Sequence, residues 1–488
     1  MENFLTREML EFLVMMSNYL ILLCMGFYTL DCFFVFRYRD DSEGGFLYLR
    51  QNFWLFVIQL ISFFDLAYVS KEYTYIFLYM ALQIFFFIVL SITPLIYRKV
   101  NRLLLNNMCM LLGIGMVTIS RLDLDKAIRQ FEIIALCYVL CMFIPIIIYK
   151  TNFLPKLTWG YAVAGAVLLG AVWLFSESIY GSKLSFTIEG FSFQPSEIVK
   201  ILFILFMAGA LSQCTSFKRI IITSLIAAAH VLILVLSTDL GSALIFFVAY
   251  LAVIFVASKN YIYLLLGLGG GCGAAVLAYH LFAHVRTRVL AWQDPWTYID
   301  DQGYQITQSL FAIGSGSWFG LGLYKGNPDD IPFVEDDFIY SSICEEMGTI
   351  FGILLVLIIL SCFIMIVKIS LKTHQPFYRL TAFGFSIVYI FQVFLTIGGG
   401  IKFIPLTGVT LPFISYGGSS VATMMIMFFI LHGINMIADK EQKPQPETVN
   451  SQPDTDVDND FSIDLDNILD LDAEEESYER EESNEEER

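Results

Sequence analysis

Residues 346–368 read EMGTIFGILLVLIILSCFIMIVK, and between Glu346 and Lys368 stand 21 residues without a charge. A helix needs about 20 mostly apolar residues to cross the ~30 Å hydrocarbon core of a bilayer. The stretch therefore predicts a membrane-spanning helix. Comparable runs recur in both directions. They give candidate spans near 11–35, 52–70, 73–96, 103–120, 130–149, 157–175, 195–213, 219–237, 240–257, 260–282, 341–367, 377–398 and 412–437, thirteen in all. The runs are continuous, whereas a barrel strand would show roughly ten residues of alternation. The chain reads as an all-α polytopic membrane protein.

Composition agrees. Of 488 residues, 57% are hydrophobic and 15% charged, and mean hydropathy is +0.67. A soluble domain carries about 45–50% apolar and about 25% charged residues, so a cytosolic globule and a disordered chain are both excluded. The net charge of −17 is a matter of location. Of 46 acids and 29 bases, 20 and 4 fall within 439–488, leaving a membrane body with 26 and 25. Like-charge runs of that density are solvated and disordered, so 438–488 reads as an acidic tail. Within it, residues 461–469 interleave apolar and acidic side chains, a pattern able to fold on a basic cytoplasmic partner. The nine cysteines include no C-x-x-C pair and read as free thiols in apolar stretches. No nucleic-acid partner is expected.

Basic residues orient the spans, because cytoplasmic loops carry the excess of Lys and Arg. Arg37, Arg39 and Arg50, then Arg98, Lys99 and Arg102, Lys150 and Lys156, Lys218 and Arg219, Lys259, and Lys368, Lys372 and Arg379 fall on alternate loops. That puts the N-terminus outside and the C-terminus in the cytoplasm. Arg121, Lys126, Arg129, Arg286, Arg288 and Lys402 fall on the outer side and need another explanation. The outer segment 283–340 is 58 residues long. Structureless loops beyond about 12–15 residues are usually functional or disordered, and the tryptophans and tyrosines here argue for order. The segment is either a passive lid or part of a site. Its apolar stretch 306–323 suits the membrane surface or a re-entrant turn.

Charges inside spans are costly and mark functional candidates. Glu197 and Lys200 follow Gln194-Pro195-Ser196 and share one helix face at i, i+3. They form either a structural ion pair at a helix start or part of a site. Asp239 stands before a span and suits either an N-cap or a site. Glu335-Asp336-Asp337-Phe338 and Glu345-Glu346 close the long loop. Carboxylates beside aromatics at a membrane surface can have raised pKa values and act as general bases, or can be solvated loop acids. Spacing does not choose between Asp336 and Asp337. Residues 404–420, IPLTGVTLPFISYGGSS, hold two prolines and Gly417-Gly418. Such broken backbone at membrane depth lines a cavity or serves close packing. No Walker A, dinucleotide fingerprint or zinc spacing is present.

In this order, the residues resemble the SEDS family, whose members include RodA, FtsW and SpoVE. The resemblance rests on Gln194-Pro195-Ser196-Glu197 with Lys200, Asp239-Leu240-Gly241, Asp294-Pro295, Gly303-Tyr304-Gln305 with Gln308-Ser309, Ala312-Ile313-Gly314, Asp337-Phe338 with Glu345-Glu346 and Gly348, and the 405–420 signature. It implies a ten-helix core over 103–437, with the long extracellular loop 283–340 between core helices seven and eight. Residues 1–102 then form an N-terminal extension of about three helices. Three departures stand out. Leu184-Ser185 replaces the Arg-Trp often found in the family, Thr396 and Lys402 replace an Asn and a Gly, and the extension itself is additional.

The resemblance implies a peptidoglycan glycosyltransferase of the bacterial cytoplasmic membrane that polymerises lipid II on the outer face. The GlcNAc 4-hydroxyl of one lipid II attacks the anomeric carbon at the reducing end of the undecaprenyl-linked glycan, and undecaprenyl diphosphate leaves with inversion. The family places the general base on the Asp before Phe, here Asp337. Cations must stabilise the departing diphosphate, and the candidates are Lys200, Arg121, Lys126, Arg286, Arg288 and Lys402, with Glu197 orienting Lys200. Asp239, Gln194, Ser415, Gly417 and Gly418 join them as substrate-binding candidates. No cofactor is certain, and a divalent cation, Mg or Mn, is compatible with a diphosphate. A class B penicillin-binding protein is the expected partner. A flippase of the lipid-linked precursor and a non-catalytic scaffold are the competing readings.

Overall fold

The structure, a computed structural model, describes residues 2–38, 44–151, 153–175, 186–188, 191–213 and 215–441. Leu184-Ser185, Cys214 and the acidic tail beyond residue 441 lie outside them. Among the described residues, thirteen helices are long and apolar enough to cross a membrane, the number the sequence predicts.

The extension is α1 (Glu2–Phe34), α2 (Gly45–Ser70) and α3 (Thr74–Ile96). The body continues through α4 (Arg102–Leu122), α5 (Leu124–Cys141), α6 (Ile144–Lys150) and α7 (Thr158–Phe175). A short hairpin, β1 (Phe186–Ile188) paired antiparallel with β2 (Phe191–Phe193), follows, a small exception to the all-α expectation. Then come α8 (Pro195–Gln213), α9 (Phe217–Leu236), α10 (Leu240–Ser258) and α11 (Tyr261–Leu281). The long loop holds α12 (Ala283–Gln293) and α13 (Tyr304–Gly316), and the chain returns through α14 (Ile339–Met347), α15 (Thr349–Lys372), α16 (Pro376–Gly400) and α17 (Gly418–Glu441).

Helix starts obey local chemistry. Asn101 caps α4 by accepting from the Leu104 N–H at 2.9 Å, and Asp123 caps α5 by accepting from Lys126 N–H at 3.0 Å. Three spans differ in detail from the sequence reading. The span expected at 341–367 is broken at Gly348, whose φ is +93°, so α14 and α15 meet at an angle only glycine tolerates well. The span expected at 130–149 starts earlier, at Leu124, and is interrupted before Pro145, which sits in the first turn of α6. The span expected from 412 starts at Gly418, because 411–417 forms a turn with Phe413 at φ 66°.

Helix α4 is the hub. Every residue from 103 to 121 is buried, enclosed by α2, α3, α5 and α15. By contrast α11 buries none of its residues among the described ones. The extension packs on the body through α1 against α15 and α2 against α4. It also reaches the outer loop. The Asn18 side-chain amide donates to the Phe319 carbonyl at 2.7 Å, and the Tyr75 and Tyr324 hydroxyls are 2.7 Å apart.

Candidate active site

An open cavity of about 670 Å³ is formed where α10 begins, beside α12, α13 and the loops ahead of α14 and α17. Asp239, Arg288, Tyr304, Gln305, Asp337 and Gly408 contribute to its wall. Thr238 (φ 63°) and Phe333 (φ 58°) line it too. Both are held in the left-handed region, which is unfavourable for a β-branched or bulky residue, and such strain concentrates at functional sites.

Asp337 follows the turn at Phe333, whose carbonyl accepts from the Asp336 and Asp337 N–H groups at 3.2 Å each. Burial raises the Asp337 carboxyl to about 6, against the lowering effect of Arg288. Asp336 is raised further, to about 7, by burial and by the neighbouring Asp337 and Glu335 charges, opposed by Lys126. Of these two adjacent acids, Asp337 lines the cavity and Asp336 does not. The Arg288 guanidinium is pushed down by burial, while Asp337 and Asp239 hold it up. Its Nη1 donates to the Thr407 carbonyl at 3.2 Å, which fixes the fork at the cavity wall.

Asp239 caps α10, its Oδ1 accepting from Ser242 N–H at 3.1 Å. Its Oδ2 accepts from Ser196 Oγ at 2.9 Å and from Gln194 Nε2 at 3.3 Å. The Gln-Pro-Ser-Glu motif therefore acts first on Asp239. Glu197 and Lys200 point inward instead, paired at 2.8 Å and both buried. Lys200 Nζ also donates to Gln392 Oε1 at 2.7 Å, and Gln392 Nε2 donates to the Thr410 carbonyl at 3.0 Å. Thr396 Oγ1 donates to the Val409 carbonyl at 2.8 Å. The buried pair thus ties α8 through α16 to the 405–420 signature.

That signature in turn clasps the acidic turn. Tyr416 N–H donates to the Glu335 carbonyl at 2.9 Å, and Ser415 Oγ donates to the Asp336 carbonyl. Gln130 Nε2 donates to the Ser415 carbonyl at 3.1 Å, and Gly417 N–H donates back to Gln130 Oε1 at 3.1 Å. Gly418 opens α17 against Ile133. On the other side, a Cβ on Gly115 would come within 2.6 Å of the Ile414 carbonyl oxygen, so glycine on α4 is what lets this turn approach.

The outer-side cations separate. Arg288 alone among them lines the cavity. Arg121 is buried, with Nε 2.9 Å from Glu346 Oε1, Nη1 3.6 Å from Asp329, and its guanidinium 4.4 Å from the Tyr324 ring centre. Lys126 is paired with Glu335 and with Asp123. Arg286 is held by the His280 carbonyl and the Tyr279 ring. Lys402, at φ 61°, presents its carbonyl to Trp292 Nε1 at 3.2 Å. Burial raises Glu346 to about 7 despite Arg121. Gln392 and Gln130 join these contacts without being among the expected site residues. An uncharged amide inside an apolar run was the available signal, since buried polar groups must find partners.

A carboxylate and a guanidinium face one open cavity at the end of a bundle of membrane-length helices, the arrangement of a polytopic membrane enzyme. The chain belongs to the FtsW/RodA/SpoVE family: that family's model, described as a cell cycle protein, matches residues 99–440. Peptidoglycan glycosyltransferase RodA of Mycobacterium tuberculosis is 32% identical over 380 residues, covering 70% of this chain and 80% of that protein. Stage V sporulation protein E of Bacillus subtilis is 33% identical over 266 residues, covering 52% and 72%. Two solved structures share the fold. One comes from a peptidoglycan synthase complex described as coordinating polymerization and crosslinking (TM-score 0.59, 24% identity, 71% of this chain and 99% of that one). The other is RodA of Thermus thermophilus (TM-score 0.53, 22% identity, 70% and 98%). The matched region begins after α3, so the extension lies outside it.

Proposed function

We propose that this chain is a peptidoglycan glycosyltransferase that polymerises lipid II in cell-wall synthesis, serving elongation, division or sporulation. The observation that carries the reading is the convergence of Asp337 and Arg288 on one cavity, in a family whose curated members are named peptidoglycan glycosyltransferases. Asp337, as carboxylate, takes the proton of the acceptor 4-hydroxyl. The oxygen attacks the anomeric carbon, the bond from that carbon to the diphosphate oxygen breaks, and the configuration inverts. Arg288 faces the charge that develops on the departing diphosphate, as a fixed donor does best in a partly desolvated site. Diphosphate is already a good leaving group, so no nucleotide is required.

Several finer points belong to the same proposal. The cavity faces outward, with the N-terminus outside and the C-terminus in the cytoplasm, as the distribution of Lys and Arg supports. A class B penicillin-binding protein cross-links the product, a pairing supported by the synthase complex among the structures that share the fold. The acidic tail engages a basic cytoplasmic partner. Among the described residues no three His, Cys, Asp or Glu side chains come together as a metal site. A Mg or Mn ion would travel with the diphosphate and use Asp239, in keeping with cations held by one or two carboxylates plus substrate phosphates.

Purified full-length protein, with and without the transpeptidase, is incubated with labelled lipid II and the products are resolved on a gel. Glycan ladders are expected. Lipid II crossing the bilayer of reconstituted vesicles without any polymer would replace this reading with that of a flippase.

A further inference from the structure

A second cavity lies apart from the active site, where α2 and α4 begin and α3 ends. It holds about 350 Å³ and is lined by Tyr48, Asn52, Leu90, Ser91, Pro94 and Arg102 among others. Leu49 and Leu95 also line it and are 68% and 76% exposed, so it opens sideways toward the space that acyl chains fill. Its wall is pre-formed: Asn106 Nδ2 donates to the Tyr48 carbonyl at 3.3 Å and to Gln51 Oε1 at 2.9 Å.

Three polar features converge there. Arg102 is exposed and, among the described residues, makes no ion pair. Asn52 Oδ1 is buried without a hydrogen-bond partner. Pro94 lies inside α3 and has no N–H to give the Leu90 carbonyl, which therefore loses its usual helical partner. The cleft thus offers one cation and two acceptors beside an apolar exit. Arg98 and Lys99 stand just ahead of Arg102 in sequence and add to the positive potential. Basic pockets between transmembrane helices are suited to anionic headgroups.

We propose that this cleft binds a phosphatidylglycerol-type lipid. Its phosphate sits on Arg102, its headgroup hydroxyls donate to Asn52 Oδ1 and the Leu90 carbonyl, and an acyl chain leaves past Leu49 and Leu95. Most of the lining comes from α2 and α3, ahead of the region the family model matches. The extension supplies the apolar exit and the two acceptors while Arg102 comes from α4, and this gives the added helices a function: seating a lipid between themselves and the hub helix. The proposal is independent of the glycosyltransferase reading.

Native mass spectrometry of the purified full chain, exchanged with phosphatidylglycerol, phosphatidylethanolamine or phosphatidylcholine, tests it. Phosphatidylglycerol is expected to be retained several-fold more than the other two. Arg102→Gln should lower that retention several-fold. Ser91→Trp, which fills the cleft and keeps the charge, should do the same, so the test survives a folding defect in either variant. Arg98→Gln, outside the lining, should retain the lipid. Equal retention of the three lipids, or a preference for phosphatidylethanolamine, overturns the assignment. So does wild-type retention in both cleft variants. Displacement of the lipid by inorganic phosphate would show a bare anion site and overturn it as well.

Discussion

Arg288 and Asp337 face a single point: the position a Cβ would take on Gly408 lies 3.7 Å from Arg288 Nη2 and 3.7 Å from Asp337 Oδ2. Gly408 has φ +70°, a conformation that costs an L-residue roughly 1–2 kcal/mol. A backbone position without a side chain therefore stands beside both the carboxylate and the guanidinium. The absence of a side chain there leaves Asp337 and Arg288 open to the same space.

Asp337→Asn should abolish glycan ladders, with a fall of about 10²–10⁴-fold expected from losing a general base. Asp336→Asn should cost much less, because that side chain lies toward Glu335 and Lys126 and does not line the cavity. Comparable losses in both variants, read from initial rates with labelled lipid II, would reverse the assignment.

The pH dependence follows from the same residue. Asp337 must be ionised to accept a proton, and its carboxyl titrates at about 6, so the rate should fall as pH drops through about 6. Stability should move the other way. Asp336 and Asp337 are raised to about 7 and about 6, so the folded state holds protons that the unfolded chain releases nearer 4. Their protonated forms favour folding at low pH, and that contribution is lost as pH rises through 6 to 7. A thermal midpoint higher at pH 5 than at pH 8, with Asp337→Asn flattening part of the difference, is the expected result.

Arg288→Gln should lower kcat by about 10²–10³-fold, the usual effect of removing one fixed donor from a developing anion. Gly408→Ala should also lower kcat by placing a methyl group beside the two charges, while the protein remains folded. An unchanged kcat in both, with purified protein of wild-type thermal midpoint, would exclude the paired arrangement.

Arg121→Gln should act on stability instead. It leaves Glu346, 3% exposed at its side chain, without its cation, and breaking a buried pair costs about 3–5 kcal/mol. The thermal midpoint should fall, while the KM for lipid II of the folded fraction stays near wild type. A raised KM at unchanged stability would restore Arg121 as a diphosphate ligand.

Deletion of the acidic tail should leave polymerisation intact, provided the cut respects the structure. Lys372 pairs with Asp439, and Glu441 Oε2 accepts from His374 N–H at 3.0 Å. Removal of 444–488 should preserve wild-type rates. A cut at 439 should lower the thermal midpoint. Loss of activity in the shorter deletion would tie the tail to catalysis.

The membrane spans were legible in the sequence because the bilayer imposes a local rule: a run of apolar residues either is long enough to cross or is not. The broken backbone of 405–417 was legible for the same reason, from its two prolines and its Gly-Gly pair, whereas the breaks at Gly348 and before Pro145 fell inside runs that read as continuous spans and appeared only in the structure. The family motifs pointed to Asp337 and to Asp239. Arg121, Lys126, Lys200, Arg286, Arg288 and Lys402 were equivalent as candidate cations in the sequence, because each is a positive charge near one side of the membrane. Tertiary structure alone separated them. Arg121 meets Glu346 across 225 residues of sequence and Lys200 meets Gln392 across 192, and each of those pairings occupies its charge away from the cavity. Arg288 keeps its fork at the cavity wall because α12 folds back over Thr407 and Gly408. Charge type and spacing are local properties of a chain, whereas the partner that neutralises a buried charge is set by which distant segment packs against it.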